Sequence, residues 1–152
     1  MEFTSIPEIL KFSISKEQAS VRFFQDLASK TTHPATKSLF EVLAEREKQH
    51  ITELELEMEK LGYTVNTDKE QNAMFRWEES LDSDEGIGDM DFIEGLLLAI
   101  QKERAAFRLY IQIMATVKDE QLKAVLMDLA EEEMRHVLQL EQEYNAIVHP
   151  KH

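Results

Sequence analysis

Along four stretches of the chain, apolar residues return every three or four positions, the spacing of a helix with one buried face. The first stretch, from about Pro7 to Lys30, carries Leu10, Ile14, Val21, Phe24 and Leu27. The second, from about Pro34 to Leu61, carries Phe40, Leu43, Leu54 and Leu61. The third runs from about Phe92 to Thr116 with Leu96, Ile100, Tyr110 and Ile113, and the fourth from about Glu120 to Ile147 with Leu126, Leu129, Leu140 and Ile147. Start and stop signals bound these stretches. Ser5 with Glu8, and Asp91 with Glu94, have the spacing of capping boxes. Thr32 or a near neighbour is placed to cap the second helix, with Pro34 in its first turn, and Asp119 to cap the fourth. Gly62 follows the second helix as a C-terminal glycine.

The first and second helices are joined by a few residues, as are the third and fourth, which makes two antiparallel hairpins. The link from Gly62 to Met90 is long. The predicted fold is therefore all-α and a single domain: an antiparallel four-helix bundle of ferritin-like topology, two hairpins joined by a long crossover over residues 62–90. Residues 68–79 of the crossover have the pattern of a further short helix, and Trp77 is read as a packing anchor.

The two hairpins are copies of one another. With the chain shifted by 86 positions, residues 8–57 align on residues 94–143 without a gap, with 16 identities in 50 positions. Lys16-Glu17 falls on Lys102-Glu103, Leu43-Ala44-Glu45 on Leu129-Ala130-Glu131, and Glu47 and His50 on Glu133 and His136. Such a repeat predicts a pseudo-twofold axis relating the hairpins.

Each apolar stripe is broken at the same place. Glu17 interrupts the row of Leu10, Ile14 and Phe24; Glu103 interrupts that of Leu96, Ile100 and Tyr110. Glu47 and His50 lie between Leu43 and Leu54, and Glu133 and His136 between Leu129 and Leu140. A buried, unpaired carboxylate costs several kcal/mol even after relaxation. Four of them approach the roughly 5–15 kcal/mol stability of a whole domain. No Lys or Arg lies beside them on the stripes. Two divalent cations would balance four carboxylates, with two neutral imidazoles completing the site. A Glu and a His three apart project from one face and reach one ion. One Glu on each of two helices, and Glu-x-x-His on each of the other two, is the di-metal carboxylate pattern. The candidate metal ligands are Glu17, Glu47, His50, Glu103, Glu133 and His136. A helical interaction module without metal would leave four core glutamates unexplained.

Composition narrows the function classes. Acidic residues outnumber Lys and Arg by 30 to 17, a formal net charge of −13 that argues against nucleic acid and anionic membranes as partners. Cysteine is absent, which removes disulfides, thiolate catalysis and iron–sulfur clusters. With no run of about 18 apolar residues and no secretion signal, the expected location is the cytoplasm. His33 is read as a solvated loop residue, and His149 and His152 as parts of a frayed tail. Tyr110, two turns beyond Glu103, is placed to pack or to hydrogen-bond a ligand carboxylate; its repeat counterpart, Phe24, favours packing. Glu57 and Glu143 recur in the repeat beyond the histidines, at solvated bundle ends or along an ion route.

The chain resembles the ferritin-like domain of the rubrerythrin family. Glu17 to Phe24 and Glu103 to Tyr110 resemble that family's E-x-x-A-x-x-(F/Y)-(F/Y) signature, with Ser20 in the usual place of Ala, and Glu47-Lys-Gln-His50 and Glu133-Met-Arg-His136 resemble its two E-x-x-H motifs. The resemblance implies a non-haem centre of two iron ions that reacts with peroxide or dioxygen, an external electron donor, and a homodimer, with hairpins exchanged between chains as one arrangement. Hydrogen peroxide reduction is the first expectation and ferrous oxidation for iron handling the second. The rival from another class is a non-catalytic bundle holding zinc or manganese, and zinc competes well at such N/O sites. Two departures stand out. There is no cysteine-ligated rubredoxin iron site, and Ile100 stands where the family has an extra glutamate. The set of six therefore looks more like the symmetric centre of bacterioferritin-type proteins.

Overall fold

The structure, a computed structural model, describes residues 5–62 and 91–150. These form four helices: α1 (Ile6–Lys30), α2 (Pro34–Lys60), α3 (Phe92–Thr116) and α4 (Glu120–Val148). The expected short helix at 68–79, Trp77 and His152 lie outside the described residues. No described helix is long and apolar enough to cross a membrane.

Local chemistry sets the helix ends. The Ser5 hydroxyl accepts from the Glu8 amide at 3.3 Å, Asp91 from the Glu94 amide at 2.8 Å, and Asp119 from the Leu122 amide at 2.8 Å. Each satisfies one of the amides that a first helical turn leaves without a partner. The α2 cap is the near neighbour of Thr32 rather than Thr32 itself. His33 is the N-cap, and its Nδ1 accepts from the Thr36 amide at 3.4 Å. The physical reason is Pro34, which holds the preceding residue extended and so directs the His33 ring over the first turn. His33 is also no solvated loop residue. It stacks on Phe92 at 4.9 Å between ring centroids and meets the Thr36 hydroxyl at 2.9 Å. After α2, Gly62 takes φ +80, the left-handed conformation that ends a helix at glycine cost-free.

Short turns at residues 31–33 and 117–119 fold α1 onto α2 and α3 onto α4. Between hairpins, α1 meets α3 and α2 meets α4. The core is two apolar clusters, one at each end of the bundle. One joins Leu10 and Ile14 of α1, Leu54 and Met58 of α2, Tyr110 and Ile113 of α3, and Leu126 and Leu129 of α4. The other joins Phe24 and Leu27, Phe40 and Leu43, Leu96 and Ile100, and Leu140. The start of α1 thus packs with the end of α3, and the end of α2 with the start of α4, so both cross-hairpin pairs are antiparallel. The repeat carries each end of the bundle onto the other, and its axis crosses the bundle at mid-height.

Candidate metal centre

Between the two apolar clusters lies a single polar layer. Glu17, Glu47, His50, Glu103, Glu133 and His136 are each at most 2% exposed. Every one stands on the stripe that its helix must bury, so the packing that forms the bundle also draws the six together. Their atoms fall into two overlapping groups. Glu17, Glu47, His50 and Glu133 each place one ligand atom within 4.8 Å of the others, and Glu47, Glu103, Glu133 and His136 do the same. Glu47 and Glu133 are common to both.

The histidines present the same nitrogen inward. His50 Nδ1 lies 3.5 Å from Glu47, 3.6 Å from Glu17 and 3.7 Å from Glu133. His136 Nδ1 lies 3.1 Å from Glu47, 3.8 Å from Glu103 and 4.0 Å from Glu133. The two rings are nearly parallel, with centroids 6.0 Å apart.

Proximity has not satisfied these groups. Among the described residues, eleven buried side-chain atoms lack a hydrogen-bond partner, and ten belong to these six residues. Folded proteins rarely leave buried polar atoms unpaired; eight of the ten, six carboxylate oxygens and the two Nδ1 atoms, face the layer and could together hold something that accepts many lone pairs at once. Divalent metal ions do so, and four carboxylates with two imidazoles suit iron, manganese or zinc.

Without metal, the charges in the layer are strained. Burial pushes Glu133 well above the usual carboxylate range, and the Glu103 and Glu47 charges add to it. Burial acts on Glu47 in the same sense, but His136 and His50 outweigh it and hold this carboxyl below its ordinary value. Burial lowers the basicity of His136, yet Glu103 and Glu47 raise it to about 9. His50 is raised too, by Glu47 against the effect of burial. The layer therefore holds protons at neutral pH that a cation would replace.

Two outer contacts distinguish the halves. The Tyr110 hydroxyl, fully buried, donates to Glu17 Oε1 at 2.8 Å. Packing alone is thus an incomplete account of Tyr110. On the opposite side, Glu132 Oε1 lies 3.7 Å from His136 Nε2 and accepts from Arg46 at 2.7 and 3.2 Å. Burial would raise the Glu132 carboxyl, but Arg46 holds it below its usual value. Glu132 and Arg46 were not singled out in the sequence, although both directly precede a candidate ligand. Glu57 and Glu143 stay at the bundle ends. Glu143 accepts from the Thr36 hydroxyl at 2.7 Å and Glu57 from Gln121 at 3.0 Å, contacts that tie α2 to α4.

A family model described as Rubrerythrin matches residues 8–144, from the first turn of α1 to the last turns of α4. The chain belongs to the rubrerythrin family. All four helices and the whole polar layer fall inside the matched span. No curated protein sequence matches the chain. A solved structure titled "Hypothetical Protein Pfu-1136390-001 From Pyrococcus furiosus" is similar over 95% of this chain and 90% of that one, with a TM-score of 0.70 and 23% identity. That likeness shows the fold alone. The chain is thus a ferritin-like bundle of the rubrerythrin family with a buried carboxylate–histidine layer that could hold metal.

Proposed function

We propose that the chain is a non-haem di-iron oxidoreductase that reduces hydrogen peroxide. The observation that carries the reading is the layer of ten unpaired buried donor atoms on six residues, in a chain of the rubrerythrin family. In this reading Glu17 and His50 would hold one ion and Glu103 and His136 the other, with Glu47 and Glu133 in reach of both, since only these two lie in both groups. Two ferrous ions held there would supply the two electrons that, with two protons, reduce hydrogen peroxide to two waters. Around them the protein's part is positioning and charge control. The carboxylates fix a neutral total with two dications. Each imidazole would offer Nδ1 to an ion and keep Nε2 for the outer side, where Glu132 lies 3.7 Å from that of His136. The apolar clusters on both sides keep water from the layer. An external donor would return the two electrons.

Ferrous oxidation for iron handling is the second reading. The six-ligand set favours it, since Ile100 occupies the place of the extra glutamate. The deciding experiment is ferrous loading without oxygen, followed by stopped-flow mixing with peroxide and with dioxygen. Faster oxidation by peroxide is the expected result, and faster oxidation by dioxygen selects the second reading. A loaded protein that leaves both oxidants untouched over minutes ends both readings in favour of a structural metal site.

A further inference from the structure

Residues one repeat apart that meet, or that line one opening, mark where the pseudo-twofold axis leaves the bundle. There are two such places, and they are unlike. Between α2 and α4 the axis emerges through Arg46 and Glu132, which pair and close the seam. Between α1 and α3 it emerges at a cavity of about 20 Å³ lined by two repeat-related pairs, Lys16 with Lys102 and Ser20 with Ala106, and by Glu17, Ala19, Phe23 and Glu133. Glu17 Oε2 and Glu133 Oε1 are buried atoms without a hydrogen-bond partner. The seam therefore reaches two residues that carry carboxylates of the polar layer, Glu17 and Glu133.

We propose that the α1–α3 seam is the port through which the oxidant reaches the centre, and that Ser20 and Ala106 restrict it to species of about the size of dioxygen or hydrogen peroxide. The proposal rests on the di-iron reading above. A cavity needs roughly 10–15 Å³ to take one water, so this one accepts a very small molecule and rejects an alkyl hydroperoxide. Ser20 and Ala106 stand one helical turn beyond Glu17 and Glu103, where a longer side chain would fill the opening. Lys16 and Lys102 stand at the mouth, with the Lys102 ammonium 4.0 Å from the Phe23 ring centroid. In this proposal the seam serves the oxidant and metal loads by another route.

The test compares wild type with Ser20→Leu, Ala106→Leu and the Ser20→Gly/Ala106→Gly double variant. Cobalt(II) loading, followed by its visible absorption, should keep its rate and two-ion stoichiometry in all of them. This also checks that each variant folds. With ferrous protein under argon, nitric oxide serves as a diatomic probe that binds without turnover. Its binding, and separately the oxidation by hydrogen peroxide, should slow about tenfold or more in either Leu variant. Tert-butyl hydroperoxide should be inert toward wild type and reactive toward the double Gly variant. Unchanged nitric oxide binding in both Leu variants overturns the port, as does cobalt loading that slows in step with it. If nitric oxide binding slows as expected while wild type ignores peroxide, the port stands and the oxidoreductase reading falls.

Discussion

The Glu17–His50 side and the Glu103–His136 side of the polar layer descend from one repeated hairpin, yet they are finished differently. Glu17 has one oxygen bound by Tyr110, whereas both oxygens of Glu103 lack a hydrogen-bond partner, because Phe24 holds the position equivalent to Tyr110. His136 has Glu132 beside its outer nitrogen, while the equivalent place before Glu47 is taken by Arg46. The six inner residues are repeated without change, and the divergence lies one layer out. In the proposed reading, identity is kept where an ion would demand a given donor. It is relaxed where a neighbour only adjusts the donor's charge or orientation.

The severest way to break the comparison is to remove a residue that both sides share. Glu47→Ala and Glu133→Ala, made separately, should each lower peroxide-driven oxidation of the ferrous protein by more than about 100-fold, beyond the roughly 10–100-fold that losing an outer partner costs. Helix content by circular dichroism should persist, since Ala favours the helix and a core carboxylate is removed. Loss from one variant only would show that the two carboxylates are not equivalent.

Metal removal comes next, and its effect depends on pH. In the metal-free protein His136 is raised from 6.5 to about 9, so the stability it lends is complete below 6.5 and is lost as pH rises through about 9. Glu133, raised well above 4.5, acts in the same direction, since its ionisation is unfavourable in the fold. Glu47, held below 4.5, lends stability that is lost only as pH falls through its lowered value. Bound metal replaces the protons and reverses the neutral-to-alkaline trend. The melting-temperature gap between loaded and metal-free protein, measured under argon, should therefore widen from pH 6.5 to pH 9. A constant gap would show that the layer does not titrate as described.

Two milder substitutions sharpen the comparison. Tyr110→Phe makes the sides alike. It should cost the metal-free protein about 1–3 kcal/mol, the usual result of leaving one buried acceptor without its donor. In the ferrous protein, Mössbauer doublets that differ between the two ions should draw together. An unaltered spectrum would mean that Tyr110 does not distinguish them. Arg46→Gln should do least. The pair is partly exposed, at 43% for Arg46 and 15% for Glu132, so less than about 1 kcal/mol is expected in chemical denaturation. A loss comparable to that of Tyr110→Phe would show that Arg46 supports the layer through Glu132.

Much of this architecture was legible in the sequence because one constraint wrote it several times. Burial of one helical face fixed the period, and the helices begin and end within a residue of the spans read from it. The polar layer was visible because glutamates broke an apolar rhythm at repeat-related positions. What stayed hidden depends on distance through space. Nothing in spacing decides that Tyr110, 93 positions from Glu17, turns its hydroxyl to that carboxylate. The Arg46–Glu132 pair was equally hidden, since both look like ordinary solvated charges on their own helices. His33 was misjudged because a histidine cap is less usual than the neighbouring threonine, and only the backbone bend at Pro34 decides between them.

The Arg46–Glu132 contact also constrains how this chain can be taken apart. Two residues that face each other across a twofold axis are the same residue when the halves are identical. A symmetric pair of first hairpins would bring arginine against arginine, and a pair of second hairpins glutamate against glutamate. Only unlike halves bring opposite charges together there. The ancestral hairpin, if it once dimerised with itself, could not have used this contact, and it became available only after the copies diverged. A chain cut between α2 and α3 should therefore reassemble as one of each half, with the charge on the axis selecting the mixed pair over either matched one.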